Sequence, residues 1–228
     1  MESLSNHGLG SISIERLPLS EQVYMTLKKG ILTGTLEPGV KLNEVRIAEE
    51  LQVSPTPVRE AFRKLAKDNL VVIKPWKGVT VKGYSPEEIV SMYQCREVME
   101  GLGARLCAEV ASDEQLREVA EAYQTCVQST DVETRVAANN HFHSSIMLLS
   151  GNERIVDYLS SFTEMVNRDM YISSMDKQRM VKCDEEHKQI LYALQNHDGD
   201  AAEKAMRYHI RNAFVYKRAH GELAGRTK

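Results

Sequence analysis

Thr56, Arg59 and Arg63 recur at offsets of three and four, so on a helix they share one exposed face, while Val58, Ala61, Phe62 and Leu65 share another. Arginine can bond O6 and N7 of guanine together, and threonine can reach a base edge or a phosphate. This face therefore has the chemistry of a helix that reads the major groove of DNA. A second group lies far downstream: Asn139 and His143 are four residues apart, and His187 and His209 fall on two later helical stretches. Neutral imidazole is a common ligand for zinc and related ions, and facing helices of a bundle can bring such groups to one point. Taken singly, a histidine is more often a surface or satisfied core residue, as His141, His197 and His220 remind us.

Both groups need elements to hold them. Val23, Tyr24, Leu27 and Ile31 repeat at helical spacing and predict a first helix over about 19–33, ended by Gly34 and the Pro38-Gly39 pair. Asn43-Glu44 opens a short second helix with Ile47, Ala48 and Leu51 inward, and Gln52-Val53-Ser54 turns into the reading helix. With Ser54 as N-cap, Pro55 and Pro57 occupy its first turn, where a missing N–H is tolerated; Thr56 as N-cap with Pro57 first is the alternative. Val71-Val72-Ile73 and Val79-Thr80-Val81 then flank Lys74-Pro75-Trp76-Lys77-Gly78, the pattern of a two-stranded hairpin. The sum is a winged helix-turn-helix. Arg46, Lys74 and Lys77 are expected phosphate contacts, with a solvated charge as the competing reading of each. For Arg59 the competing reading is an ion pair with a carboxylate such as Glu49, and Trp76 either packs the wing or touches a sugar.

Lys82-Gly83-Tyr84 reads as a linker, because Ser85-Pro86-Glu87-Glu88 is a capping box with proline at the first helical position. Similar starts follow at Ser112, Thr130 and Asp200, with breaks at Gly151-Asn152 and Gly199. They delimit helices near 85–110, 112–128, 131–149, 152–172, 176–196 and 200–218. The fold expected is mainly α: an arm over 1–15, a winged helix-turn-helix over 16–83, and an all-α bundle of six or seven helices over 84–228. Residues 15–83 hold 12 Lys and Arg against 8 Asp and Glu, and residues 84–228 hold 17 against 23, the split of a nucleic-acid-binding head on a non-binding body. No apolar run of membrane-spanning length and no signal peptide occur, which implies a cytoplasmic protein without a membrane partner. Cys95, Cys107, Cys126 and Cys183 lie far apart and read as buried thiols.

The run from Leu42 to Leu65, LNEVRIAEELQVSPTPVREAFRKL, resembles the signature of GntR-family bacterial transcription regulators, and the likeness extends through Leu70-Val71 and the Gly78 wing. It implies that Ser54, Thr56, Arg59 and Gly78 belong to the DNA-binding surface. Arginine is commoner in that family where this chain has Pro55, so one expected contact is absent. Asn139-x-x-Phe-His143-x-x-Ile, Ser150-Gly-Asn152, Glu186-His187-x-x-Ile190 and Met206-x-x-His209-Ile210 are similar, in that order, to the FCD ligand-binding domain of the FadR subfamily. Metal-binding members hold a divalent ion with an Asp and three His, which implies Asn139, His143, His187 and His209 here, with Asn139 at the Asp position. Zn, Ni or Mn would suit such a shell. Without the aspartate it is neutral, so the ion keeps its full charge for an anionic ligand.

Arg96-x-x-x-Glu100 matches a further landmark in which the arginine points toward the effector cavity, an intrahelical pair being the alternative. Arg168 and Arg179 are further candidates for that pocket. The resemblance implies a homodimeric, non-enzymatic regulator whose affinity for operator DNA is set by a small carboxylate metabolite. Two other readings remain: the ion as effector, and a three-His metalloenzyme. The latter lacks a base, since Glu186 neighbours His187 in sequence and should point elsewhere.

Overall fold

A computed structural model describes residues 17–220; the arm expected over 1–15 lies outside the described residues. Leu42 is apolar enough to enter the head core, and the two residues Lys41–Leu42 form a strand, β1, that sequence alternation is too short to reveal. The wing is accordingly three-stranded, not the hairpin expected. β1 pairs antiparallel with β3 (Gly78–Val81) through Lys41↔Thr80 and Leu42↔Val79, and β3 pairs with β2 (Val71–Lys74), giving the order β1-β3-β2.

Three helices support this sheet: α1 (Leu19–Leu32), α2 (Glu44–Glu50) and α3 (Pro55–Lys67). Their apolar faces meet through Val23, Leu27, Ile31, Ala48, Val58, Ala61, Phe62 and Leu65. Asn43 caps α2 by accepting from Arg46 N–H at 3.1 Å. Ser54 has the extended backbone of an N-cap, φ −73° and ψ 162°, so Pro55 is the first residue of α3. This is the first of the two arrangements left open by the sequence.

The body contains α4 (Pro86–Val110), α5 (Asp113–Gln128), α6 (Val132–Leu149), α7 (Glu153–Ser160), α8 (Thr163–Ser173), α9 (Lys177–Gln195) and α10 (Gly199–His220). Ser85 with Glu88, and Ser112 with Gln115, close full capping boxes. The stretch read as one helix over 152–172 is two, because Ser160 and Ser161 turn their hydroxyls back onto the carbonyls of Asp157 and Tyr158, at 2.7 and 2.6 Å, and compete with the helical ladder. Two caps also differ from expectation. Asp131, not Thr130, accepts from Thr134 N–H at 2.7 Å, and Asp198, not Asp200, accepts from Ala201 N–H at 2.9 Å. The left-handed residue between α9 and α10 is His197, φ 53°, while Gly199 begins α10.

Glycine is required where α4 meets α10: a Cβ on Gly101 would lie 2.5 Å from Cγ of Arg207. The body core forms around Phe142, Ile146, Ile155, Ile190, Leu194 and Met206, separate from the head core. Polar bridges join the two. Lys28 on α1 donates to Glu164 on α8 at 2.6 Å, and Lys29 pairs with Glu133 on α6.

Candidate histidine centre and DNA-reading face

His143 on α6, His187 on α9 and His209 on α10 come together, with one ring nitrogen of each inside a group whose members all lie within 4.8 Å of one another. Each ring is carried inward by the apolar pattern around it: Phe142, Ile146, Ile190, Met206 and Ile210 are all buried neighbours at helical offsets. Two carboxylates orient the rings. Glu100 accepts from Nδ1 of His143 at 2.9 Å, and Glu186 accepts from Nδ1 of His209 at 2.7 Å. A ring whose Nδ1–H is spent on a carboxylate presents Nε2 as a lone pair, the arrangement by which carboxylates prepare histidines for metals. Nε2 of His143 indeed faces Nε2 of His187 at 3.3 Å. Two lone pairs at that separation repel unless a proton or a cation lies between them. His187 is fully buried, and its Nδ1 has no hydrogen-bond partner among the described residues.

The carboxylates are held in turn. Arg96 donates from Nε to Glu100 at 2.7 Å, and Arg179 donates to both oxygens of Glu186 at 3.0 to 3.1 Å while Asn212 adds a bond at 2.8 Å. Burial opposes ionisation of Glu100, yet Arg96 and His143 hold its carboxyl down at about 2. Glu186 is likewise lowered, against its burial, by His209 and Arg179. Desolvation is the main influence on His209 and His187: it lowers His209 to about 4 despite Glu186, and lowers His187 well below the ordinary range, with the neighbouring histidines adding repulsion.

Both buried imidazoles are thus neutral at pH 7, as coordination requires. The linkage has a definite sign: between pH 6.5 and about 4 the unfolded chain binds protons that the folded metal-free body refuses at His209, so stability rises with pH across that window. Urea unfolding of metal-free protein at pH 7 and pH 5 should give a lower midpoint at pH 5. An unchanged midpoint would contradict the buried, neutral histidines.

Beside the trio lies a cavity of about 90 Å³, lined by Arg96, Asn139, His143, Arg168, Arg179 and His209 among others. The structure thereby brings all three arginines named from the sequence to one wall system with Asn139. Arg96 makes the intrahelical pair with Glu100 and still faces the cavity. The Asn139 side-chain nitrogen donates to Sδ of Met170 at 3.2 Å. Sequence reasoning missed Glu100 and Glu186 as supports of the histidines. Glu186 does point away from His187, as its position predicts, but it points at His209 on another helix. It also missed Cys183, one turn before His187 on α9, whose Sγ lies 3.7 Å from Nε2 of His187. Burial pushes that thiol up to about 12.

The reading face stands on the other end of the chain. Ser54, Thr56, Arg59 and Arg63 are exposed along α3, Arg46 on α2, and Lys74, Lys77 and Gly78 on the wing. Arg59 does pair with a carboxylate, but it is Glu44, with Nη2 and Nε at 2.6 and 3.2 Å, and not Glu49. Arg46 pairs with Glu50 at 2.8 Å. Trp76 is fully exposed and packs against none of the described residues. Among the described residues no helix is long and apolar enough to cross a membrane.

Comparison with known proteins agrees with both halves. Residues 19–81 match the bacterial regulatory proteins of the gntR family, and residues 91–212 match the FCD domain. The chain is 27% identical to the HTH-type transcriptional repressor RspR of Escherichia coli K12 over 196 residues, 85% of this chain and 86% of that one. It is 28% identical to a probable D-xylose utilization operon transcriptional repressor of Paenarthrobacter nicotinovorans over 209 residues, 91% and 92% of the two chains. The crystal structure of a GntR regulator from Rhodococcus sp. RHA1 superimposes with a TM-score of 0.68 at 26% identity, covering 92% of this chain and 99% of that one. With a gntR-type winged helix-turn-helix followed by an FCD bundle that takes up more than half of its length, the chain belongs to the FCD-domain group of GntR-family transcriptional regulators.

Proposed function

We propose that this regulator's affinity for operator DNA is controlled by a small carboxylate metabolite bound beside a divalent ion, with His143, His187 and His209 holding the ion. The observation that carries the reading is the facing of imidazole nitrogens from three helices, two of them oriented by carboxylates on their far side. Zn, Ni or Mn fits that donor set, and Asn139 would add a neutral carbonyl oxygen. Bound there, the ion supplies an uncompensated positive charge for an anionic ligand. Arg96, Arg168 and Arg179 on the cavity wall add cationic character on the chain's side. Glu100 and Glu186 are spent on their arginine and histidine partners and are poor bases with lowered pKa values, which disfavours the metalloenzyme reading.

DNA binding would use Thr56, Arg59 and Arg63 on base edges and Ser54, Arg46, Lys74 and Lys77 on phosphates, with Gly78 shaping the wing, in a homodimer that spans two half-sites. Metal analysis of the purified protein, followed by DNA titration with and without metal and candidate carboxylates, tests the whole scheme. A response to metal alone would favour the ion as effector. The neutral shell makes a further prediction: Asn139→Asp should raise metal affinity by roughly tenfold or more, read by competition with a chelator, because a carboxylate replaces an uncharged donor. Unchanged affinity would remove residue 139 from the ligand set.

The proposed coupling would run through α8. α8 forms one wall of the cavity through Val166, Arg168, Asp169 and Met170, and its first turn carries Glu164, the partner of Lys28 on the head. Asn167 links Asn140 of α6 to Glu164, with bonds of 2.6 and 3.3 Å. Lys28 in turn bonds Tyr24 at 3.2 Å, and Tyr24 bonds Asp68 beyond α3. Lys28→Ala should leave effector affinity in the body unchanged and shrink the effector's influence on DNA affinity to within a few-fold. Full retention of the influence would exclude this route.

A further inference from the structure

The tip of the wing carries a residue that the fold does not need. Trp76, the only tryptophan in the chain, has a relative exposure of 104%, and its backbone is left-handed at φ 63°. Lys77 N–H bonds the carbonyl of Lys74 at 3.1 Å, with Pro75 second and Trp76 third in the four-residue turn. In that pattern the third position favours glycine or asparagine, and a bulky side chain there is strained. An unpaired indole also leaves roughly 150–250 Å² of largely apolar surface in water. Neither cost is offset among the described residues. The flanks are Lys74 and Lys77, both exposed, with Ile73 45% exposed behind them. Lys77 and Gly78 share a groove with Asn43, Glu44 and Val45 at the start of α2, and Glu44 is the carboxylate that holds Arg59. The wing tip is therefore next to the reading face.

We propose that Trp76 is an apolar wedge for operator DNA: with α3 in the major groove, the indole enters the adjacent minor groove between the phosphate-binding Lys74 and Lys77, partly unstacks a base step and bends the duplex. Apolar side chains inserted at base steps bend DNA in this way, and a flexible pyrimidine–purine step beneath the tip would be preferred. The turn serves this role by carrying the indole at the wing's tip, clear of the sheet. The inference rests on the DNA-binding reading of the head but adds to it a contact, a deformation and a source of sequence preference.

The single tryptophan makes the test direct. The full-length protein is titrated with a duplex that it has selected from a random-sequence pool, and indole emission and duplex bending, by end-to-end energy transfer, are followed. Wild type should show quenched emission and a bent duplex. Trp76→Ala should lose about tenfold in affinity and most of the bend while keeping the slope of affinity against salt, whereas Lys77→Ala should lower that slope by about one phosphate contact. Trp76→Gly should weaken DNA binding while raising the head's thermal stability, which separates the wedge from any structural role. Emission unchanged on binding, or a bend undiminished in Trp76→Ala, overturns the wedge while DNA binding itself survives. Failure of wild type to select any duplex overturns both this inference and the reading of the head.

Discussion

Replacing Glu186 by alanine is expected to destabilise the body by about 3–5 kcal/mol and to reduce divalent-metal affinity by about 10–100-fold. The size follows from what one carboxylate satisfies. Both oxygens accept from Arg179, one also accepts from Nδ1 of His209, and the other accepts from Asn212. Arg179 is 7% exposed, so alanine would leave its guanidinium charged and nearly dry, the costly half of a broken buried pair. The second effect has a different origin: without its acceptor, His209 loses the bond that fixes its tautomer.

A compensated variant separates the two. Arg179→Met with Glu186→Leu removes both charges and should recover most of the stability by urea unfolding, yet metal affinity should stay low. If Glu186→Ala bound metal as tightly as wild type, the second-neighbour role assigned to this carboxylate would be wrong.

Arg59→Ala should weaken binding to a selected operator duplex by about 1–3 kcal/mol, roughly 5–150-fold, and flatten the preference for that duplex over a scrambled one. The guanidinium is 58% exposed at its side chain and tied to Glu44, an exposed pair of small net worth, so diverting it to a base costs little. The same pair steadies the guanidinium, which reduces the freedom lost on binding. Since Pro55 supplies no side-chain donor, Thr56 and Arg63 are the other base-reading candidates on α3, and Pro55→Arg should tighten or redirect binding without touching the body. Competition binding with selected and scrambled duplexes decides. An equal loss on both would make Arg59 a phosphate contact instead of a reader.

The head was largely legible because its signals are local. Asn43, Ser54 and Pro55 announce helix starts, and the arginine and apolar faces of α3 follow from spacing alone. The capping boxes at Ser85 and Ser112 were equally visible. What was hidden depends on partners distant in sequence. β1 exists because β3 offers it a register, and α7 and α8 separate because the hydroxyls of Ser160 and Ser161 bond the carbonyls of Asp157 and Tyr158 in competition with the ladder. His197 takes the left-handed position that glycine would usually mark.

At the centre, the histidines were readable as residue types on three helices, with the resemblance supplying their grouping. Glu100 and Glu186 were not readable as their supports: Glu100 lies on α4, which carries no histidine, and the place of Glu186 beside His187 says nothing about which helix it faces. Cys183 illustrates the same limit: a thiol without a motif acquires a location only when α9 is packed.

Under the proposed coupling, the bridge between Lys28 and Glu164 makes ionic strength a second input to the regulator. Dissolved salt weakens protein–DNA binding by reducing the gain from counterion release, a log-linear effect set by the phosphates contacted. The bridge adds a term of another form. Its side chains are 26% and 15% exposed, so ions reach it partially, and screening loosens the head from the cavity wall without touching DNA. The effector's influence on DNA affinity should therefore shrink with rising salt by a few-fold at most, a change separable from the much larger fall in DNA affinity itself.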